Sequence, residues 1–269
     1  MIELTDTHCH IHEVAGSDDV AQAWHDADIF KPAPLIQEAQ ASGVTRMLCV
    51  GCTLADSQLA VELAHAHERV WATIGIHPHE AQAHSDSPSD LQAFAALVDK
   101  PKLVGIGECG LDYFYTHSPK AAQEKILRFQ IELALKHNLP MVFHVREAFP
   151  DFWQIFDDYK GIRGVIHSFT ASQKELDEIL ARELYVGLNG IMTFTKQVKQ
   201  LDAAKAVPSN RLLLETDAPF LTPQPLRGTI NVPKNVRIVA EFLAELRGEN
   251  LQELAENTTK NARELFGIS

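Results

Sequence analysis

Eight short apolar runs, rich in β-branched residues and separated by stretches of helical periodicity, constrain this chain more than any other feature. They fall at residues 3–7, 46–51, 70–76, 103–107, 141–145, 164–167, 185–189 and 211–216. Most are apolar throughout rather than alternating, the pattern of parallel strands covered by helices. The intervals carry helix start and stop signals. Ser118-Pro119 predicts an N-cap followed by proline at the first helical position. The helix it opens, over residues 120–137, places Ala122, Ile126, Phe129 and Leu133 on one face. Ser172 and Glu175 are spaced as a capping box. Asp56 or Ser57 starts a further helix, and Gly248 closes one that begins near Lys234. Eight strand–helix alternations predict an α/β fold, either a closed (β/α)8 TIM barrel or a doubly wound sheet. The length of 269 residues sits near the roughly 250 typical of one barrel. No repeat or linker interrupts it, so residues 1–269 read as a single domain.

Charge narrows the partners. With 36 acidic against 24 basic residues the net charge is -12, which argues against a protein that coats nucleic acid by neutralising phosphates. An enzyme holding one phosphate at bound cations remains open, because metal ions reverse the local charge. The first residues are acidic rather than lysine-rich, and no run approaches roughly 18 apolar residues, so a cytoplasmic protein without a membrane span is expected. Cys49 and Cys52 form a C-x-x-C pair. Their spacing on a strand points the two thiols to opposite faces, as buried core residues rather than metal or redox partners. The interval 13–34 is acidic, then aromatic and proline-containing, and reads as a lid or a partly packed loop.

Metal-ligating residue types stand at the C-terminal ends of the runs, where TIM barrels place their active sites. His8-Cys9-His10 ends the first, and alternation puts both imidazoles on one side, able to share an ion. Glu108 ends the fourth run, His144 the fifth, His167 the sixth and Asp217 the eighth. Six candidate ligand residues at five strand ends, in consistent order, predict a metal centre. Gly105 to Gly110 satisfies G-x-G-x-x-G, but no helix opens on those glycines, so a dinucleotide site is rejected.

Several motifs then converge on one family. Asp6-Thr7-His8-Cys9-His10, Gly75-Ile76-His77-Pro78-His79 and Gly107-Glu108-Cys109-Gly110-Leu111-Asp112-Tyr113 lead. His144-Val145-Arg146, His167-Ser168-Phe169-Thr170 and Leu213-Leu214-Glu215-Thr216-Asp217-Ala218-Pro219 follow. Together they resemble the TatD-related metal-dependent deoxyribonucleases of the amidohydrolase superfamily, over nearly the whole chain. His12 departs from an aspartate common in that family, and Asn231-Val232-Pro233 from a common Asn-Glu-Pro.

The resemblance implies a TIM-barrel hydrolase with two divalent ions, Mg2+, Mn2+ or Zn2+. The first would be bound by His8, His10 and Asp217 and the second by His144 and His167, with Glu108 bridging. Asp217 and Glu108 are the expected catalytic residues, and Asp217 would also orient or deprotonate the attacking water. His77, His79, Arg146 and Arg227 are the expected substrate contacts. Tyr113, Phe114 and Tyr115 form an aromatic cluster that suits either base stacking or packing. The implied reaction is 3′-to-5′ hydrolysis of single-stranded DNA, with RNA as a further substrate, by a monomer. The alternative is a small-molecule ester, lactone or amide hydrolase built on the same ligands.

Overall fold

The computed structural model describes residues 2–12, 31–115 and 117–269. Its strands are β1 (Leu4–Cys9), β2 (Val44–Val50), β3 (Val70–Ile74), β4 (Leu103–Asp112), β5 (Met141–Arg146), β6 (Gly164–Ile166), β7 (Tyr185–Leu188) and β8 (Leu212–Leu214). The helices are α1 (Pro32–Ala41), α2 (Leu54–Ala66), α3 (Ala81–Ser85), α4 (Pro88–Ala95) and α5 (Lys120–His137). They continue with α6 (Phe149–Phe156), α7 (Gln173–Ala181), α8 (Val198–Ala206), α9 (Val236–Arg247) and α10 (Leu251–Phe266). All eight expected strands are present. The chain divides into two compact units, Met1–Cys49 with Ser168–Ser269, and Val50–His167.

In the first unit β1 runs parallel to β2, with Cys9 opposite Cys49, and β7 runs parallel to β8. The chain beyond β8 then returns to β1. A parallel bridge joins Cys9 to Ala218, and the His10 N–H donates to the Ala218 carbonyl at 2.7 Å. First and last strands are thus partners, as closure into a barrel requires and an open doubly wound sheet does not.

Buried Asp6 reinforces this junction. Its carboxylate accepts from the Thr216 N–H at 2.9 Å, the Thr216 hydroxyl at 2.6 Å and the His8 N–H at 3.3 Å. Burial raises its pKa well above the ordinary value, against these hydrogen bonds. Asp6→Ala strands the Thr216 donors in the interior, at a cost of about 2–4 kcal/mol. Thermal unfolding should show Tm lower by about 4–10 °C, and a smaller drop for Asp6→Asn, which keeps an acceptor. An unchanged Tm for Asp6→Ala would show that the bonds do not hold the junction.

In the second unit β3, β4, β5 and β6 are parallel neighbours in chain order. β4 reaches Asp112 rather than stopping at 107, because Cys109, Gly110, Leu111 and Asp112 pair with Phe143, His144, Val145 and Arg146. Gly110 makes that pairing possible. Its φ is +150°, and a Cβ there would stand 1.9 Å from the His144 carbonyl oxygen. The rejected glycine motif lies wholly inside β4, and the next long helix opens at Lys120.

Other local expectations shift by a residue or two. The capping box of Ser172 and Glu175 is present, and Gly248 closes α9 in the left-handed conformation. The helix expected from Asp56 or Ser57 opens instead at Leu54, with the Thr53 hydroxyl accepting from the Asp56 N–H at 3.1 Å. The one expected near Lys234 begins at Val236, after a 3-10 turn over Pro233–Asn235. Ser118 does not cap α5, whose N-cap is Pro119. Its hydroxyl donates to the His79 carbonyl at 2.6 Å and accepts from the Gln82 N–H at 3.0 Å. Of the interval 13–34, residues 13–30 lie outside the described residues, and Pro32 already belongs to α1.

Candidate metal centre

In the first unit β1 and the turn after β8 bring three candidate ligands together. His8 Nε2 lies 3.1 Å from His10 Nε2, as the H-x-H alternation predicts. Asp217 Oδ1 is 3.5 Å from His8 Nε2 and 3.3 Å from His10 Nε2. Asp217 is held in the left-handed region, φ 59°, a costly conformation for a residue with a Cβ. Two bonds fix it there. Its N–H donates to the His8 carbonyl at 2.8 Å, and its carbonyl accepts from the Phe220 N–H at 2.7 Å. His12 is buried nearby, its ring centre 6.1 Å from that of His10. Arg227 lies on the loop that follows β8. Its guanidinium lies 4.0 Å from the centre of the Phe194 ring and donates to the Thr222 carbonyl.

In the second unit three imidazoles converge on one carboxylate oxygen. Glu108 Oε1 is 2.8 Å from His144 Nδ1, 2.8 Å from His167 Nε2 and 3.4 Å from His77 Nε2. Burial opposes charge on Glu108. The imidazoles of His167, His77 and His144 nevertheless hold it well below the usual carboxylate range. Burial also takes His77 down to about 4, against the pull of Glu108. Behind His144 stands Asp112, whose Oδ2 is 3.0 Å from His144 Nε2 and 2.9 Å from His79 Nε2. Despite burial, these bonds and the Tyr115 N–H hold the Asp112 carboxyl far below its ordinary value. Against its own burial, His144 is in turn raised by Asp112 and Glu108.

Both clusters fit a divalent cation. Imidazole and carboxylate donors bound to one ion at about 2.1 Å stand about 3.0–3.4 Å apart, set by tetrahedral or octahedral angles. The separations in each cluster, 3.1–3.5 Å around Asp217 and 2.8–3.4 Å around Glu108, match that spacing. His77, read from sequence as a substrate contact, thus stands with the ligands, and with Glu108 and His144 forms a group able to hold an ion. His79 is engaged by Asp112 instead. Arg146 ends β5 exposed, against aromatic rings rather than at the carboxylates.

Asp112 and Cys52 are site residues that sequence reasoning passed over. Asp112 shares a strand face with Glu108, four residues along, with Gly110 between them leaving space. That spacing was the available signal. Cys52 is no core thiol; it follows β2 and its Sγ–H donates to Glu108 Oε2 at 3.8 Å. Cys49 is buried in β2, as expected.

The low pKa of His77 gives a pH dependence in metal-stripped protein. The unfolded chain takes up the proton near pH 6.5, the folded one near 4, so stability from this residue is lost as pH falls through that window. The effect is up to about 3 kcal/mol. Tm measured between pH 7 and 4 should fall less in His77→Asn than in the parent, and parallel curves would refute the assignment.

Comparison with known proteins places the chain in a family. The sequence profile of the family described as TatD related DNase matches residues 5–267. The metal-dependent hydrolase YabD of Bacillus subtilis (strain 168) is 35% identical over 268 residues, 99% of this chain and 100% of that protein. The 3′-5′ ssDNA/RNA exonuclease TatD of Citrobacter rodentium (strain ICC168) is 35% identical over 243 residues, 87% of this chain and 91% of that protein. The crystal structure of YJJV, a TatD homolog from Escherichia coli K12, superposes with a TM-score of 0.88 at 26% identity, covering 100% of this chain and 99% of that one. The fold of the chain is accordingly the TIM barrel of these relatives.

Proposed function

The chain belongs to the TatD-related DNase family and is a metal-dependent hydrolase; from that premise we propose that it trims single-stranded DNA from the 3′ end, and RNA as well, with two divalent ions. The observation that carries the reading is the convergence of three imidazoles on Glu108 Oε1. Substrate and polarity are those in the name of the Citrobacter relative. The acidity of this chain, net -12, suits an enzyme that grips a chain end at its site rather than coating a strand.

In this reading His8, His10 and Asp217 would hold one ion, His144 and His167 the other, and Glu108 would serve both, with residues 1–269 acting as one domain. Divalent ions held there, Mg2+, Mn2+ or Zn2+, would lower the pKa of a water and offset charge on the phosphoryl oxygens. Asp217 accepts the proton of the attacking water. The water oxygen bonds to phosphorus and the P–O3′ bond breaks, leaving a 3′-hydroxyl on the shortened strand and a 5′-phosphate on the released nucleotide. His77, His79, Arg146 and Arg227 orient the substrate's phosphates, Arg146 and Arg227 as two-pronged donors. No described helix is long and apolar enough to cross a membrane, and a cytoplasmic monomer is part of the proposal.

The test uses metal-stripped protein and single strands labelled at the 3′ or the 5′ end, with Mg2+, Mn2+ and Zn2+ added back separately. Metal-restored loss of 3′-terminal nucleotides is expected. Trimming from the 5′ end would overturn the polarity. No cleavage with any metal would overturn the nuclease and favour a small ester, lactone or amide substrate.

A further inference from the structure

Five large apolar side chains are exposed among the described residues, and the two aromatic ones are neighbours. Phe114 is 50% exposed and Tyr115 43%. Hydrophobic burial gives no reason for two adjacent rings to stay in water, and the loop carrying them is far from slack. Their N–H groups both donate to Asp112 Oδ1, at 2.9 and 3.0 Å, and the Tyr113 N–H donates to the Arg146 carbonyl at 2.9 Å. Tyr115 is further flanked by the imidazoles of His79 and His117, each with its ring centre 5.6 Å away. The rings stand 4.8 Å apart, nearly perpendicular. Above them lies the Arg146 guanidinium, 4.1 Å from the centre of Phe114 and 4.8 Å from that of Tyr115.

We infer that Phe114 and Tyr115, with Arg146, form a stacking platform for an unpaired nucleobase of the substrate strand. The inference rests on the nuclease reading and adds to it how a single strand is told from a duplex. An exposed, pre-ordered aromatic face accepts any base whose own face is free, which in a duplex is covered by its neighbours. A guanidinium beside it supplies charge for the adjoining phosphate, so ring and backbone of one nucleotide are met together. The same Asp112 that contacts His144 through Oδ2 holds the platform's backbone through Oδ1. A base seated there is therefore placed in fixed relation to a candidate metal ligand.

The test compares a single-stranded oligonucleotide carrying natural 3′-terminal bases with one carrying abasic tetrahydrofuran residues there, in the metal-loaded full chain. The parent should favour the base-bearing strand in kcat/KM by about tenfold, within the range one base–aromatic stack supplies. The double variant Phe114→Leu, Tyr115→Leu keeps apolar surface without rings. It should lose that preference, mainly through KM, while Phe114→Trp should retain it. Equal turnover of the two strands by the parent, or an undiminished preference in the double variant, would overturn the platform and leave the nuclease standing. No cleavage of either strand would overturn both.

Discussion

Glu108→Ala is expected to reduce turnover by about a thousandfold or more, with the loss seated in metal content as well as in kcat. Three imidazole nitrogens lie within 3.4 Å of one oxygen of this carboxylate. Without it the donors around any cation there are neutral, and the charge that draws a divalent ion into a buried pocket is gone. The variant should still fold, since a ligand at a strand end adds little to the apolar interior. Glu108→Gln separates shape from charge: it fills the same space, so any effect shared with alanine belongs to the charge. Metal analysis, steady-state turnover and a thermal melt on the three proteins would decide. Parent-like turnover at parent-like metal content would remove Glu108 from the site.

The second large effect is expected at Asp112, which touches no reacting atom in this reading. It is a positioning residue, within hydrogen-bonding distance of His144 on the ring edge away from Glu108. Carboxylates behind ligating histidines fix the ring's orientation and tautomer, and losing one typically costs about 10- to 100-fold in metal affinity. Asp112→Ala should therefore raise the metal Kd by about that factor and lower turnover at limiting metal. Much of the turnover should return when metal is saturating, which Glu108→Ala will not show. An unaltered metal titration curve would refute the role.

Much of this was legible because it depends on local spacing. The H-x-H of His8 and His10 needs only strand alternation, and their nitrogens stand 3.1 Å apart. The apolar runs announced all eight strands, whose pattern survives an error of a residue or two at the ends. What escaped depends on contacts distant in sequence. Ser118 reads locally as a cap, yet its hydroxyl is taken by His79 and Gln82, 39 and 36 residues away. Asp112 looked like the tail of a motif because its partner His144 lies 32 residues on, brought alongside by the pairing of β4 with β5. His77 was expected to contact substrate, and its approach to within 3.4 Å of Glu108 Oε1 is likewise set by a residue distant in sequence.

The junction between β1 and the end of β8 also has a consequence in time. Asp6 and Thr216 are 210 residues apart, and at about 5–20 residues per second a ribosome needs about 10 to 40 seconds to go from one to the other. Through that interval the nascent chain has made His8 and His10 but not Asp217. The candidate metal cluster formed by these three therefore cannot be complete on the ribosome until most of the chain exists, and any activity that needs it waits for the end of synthesis.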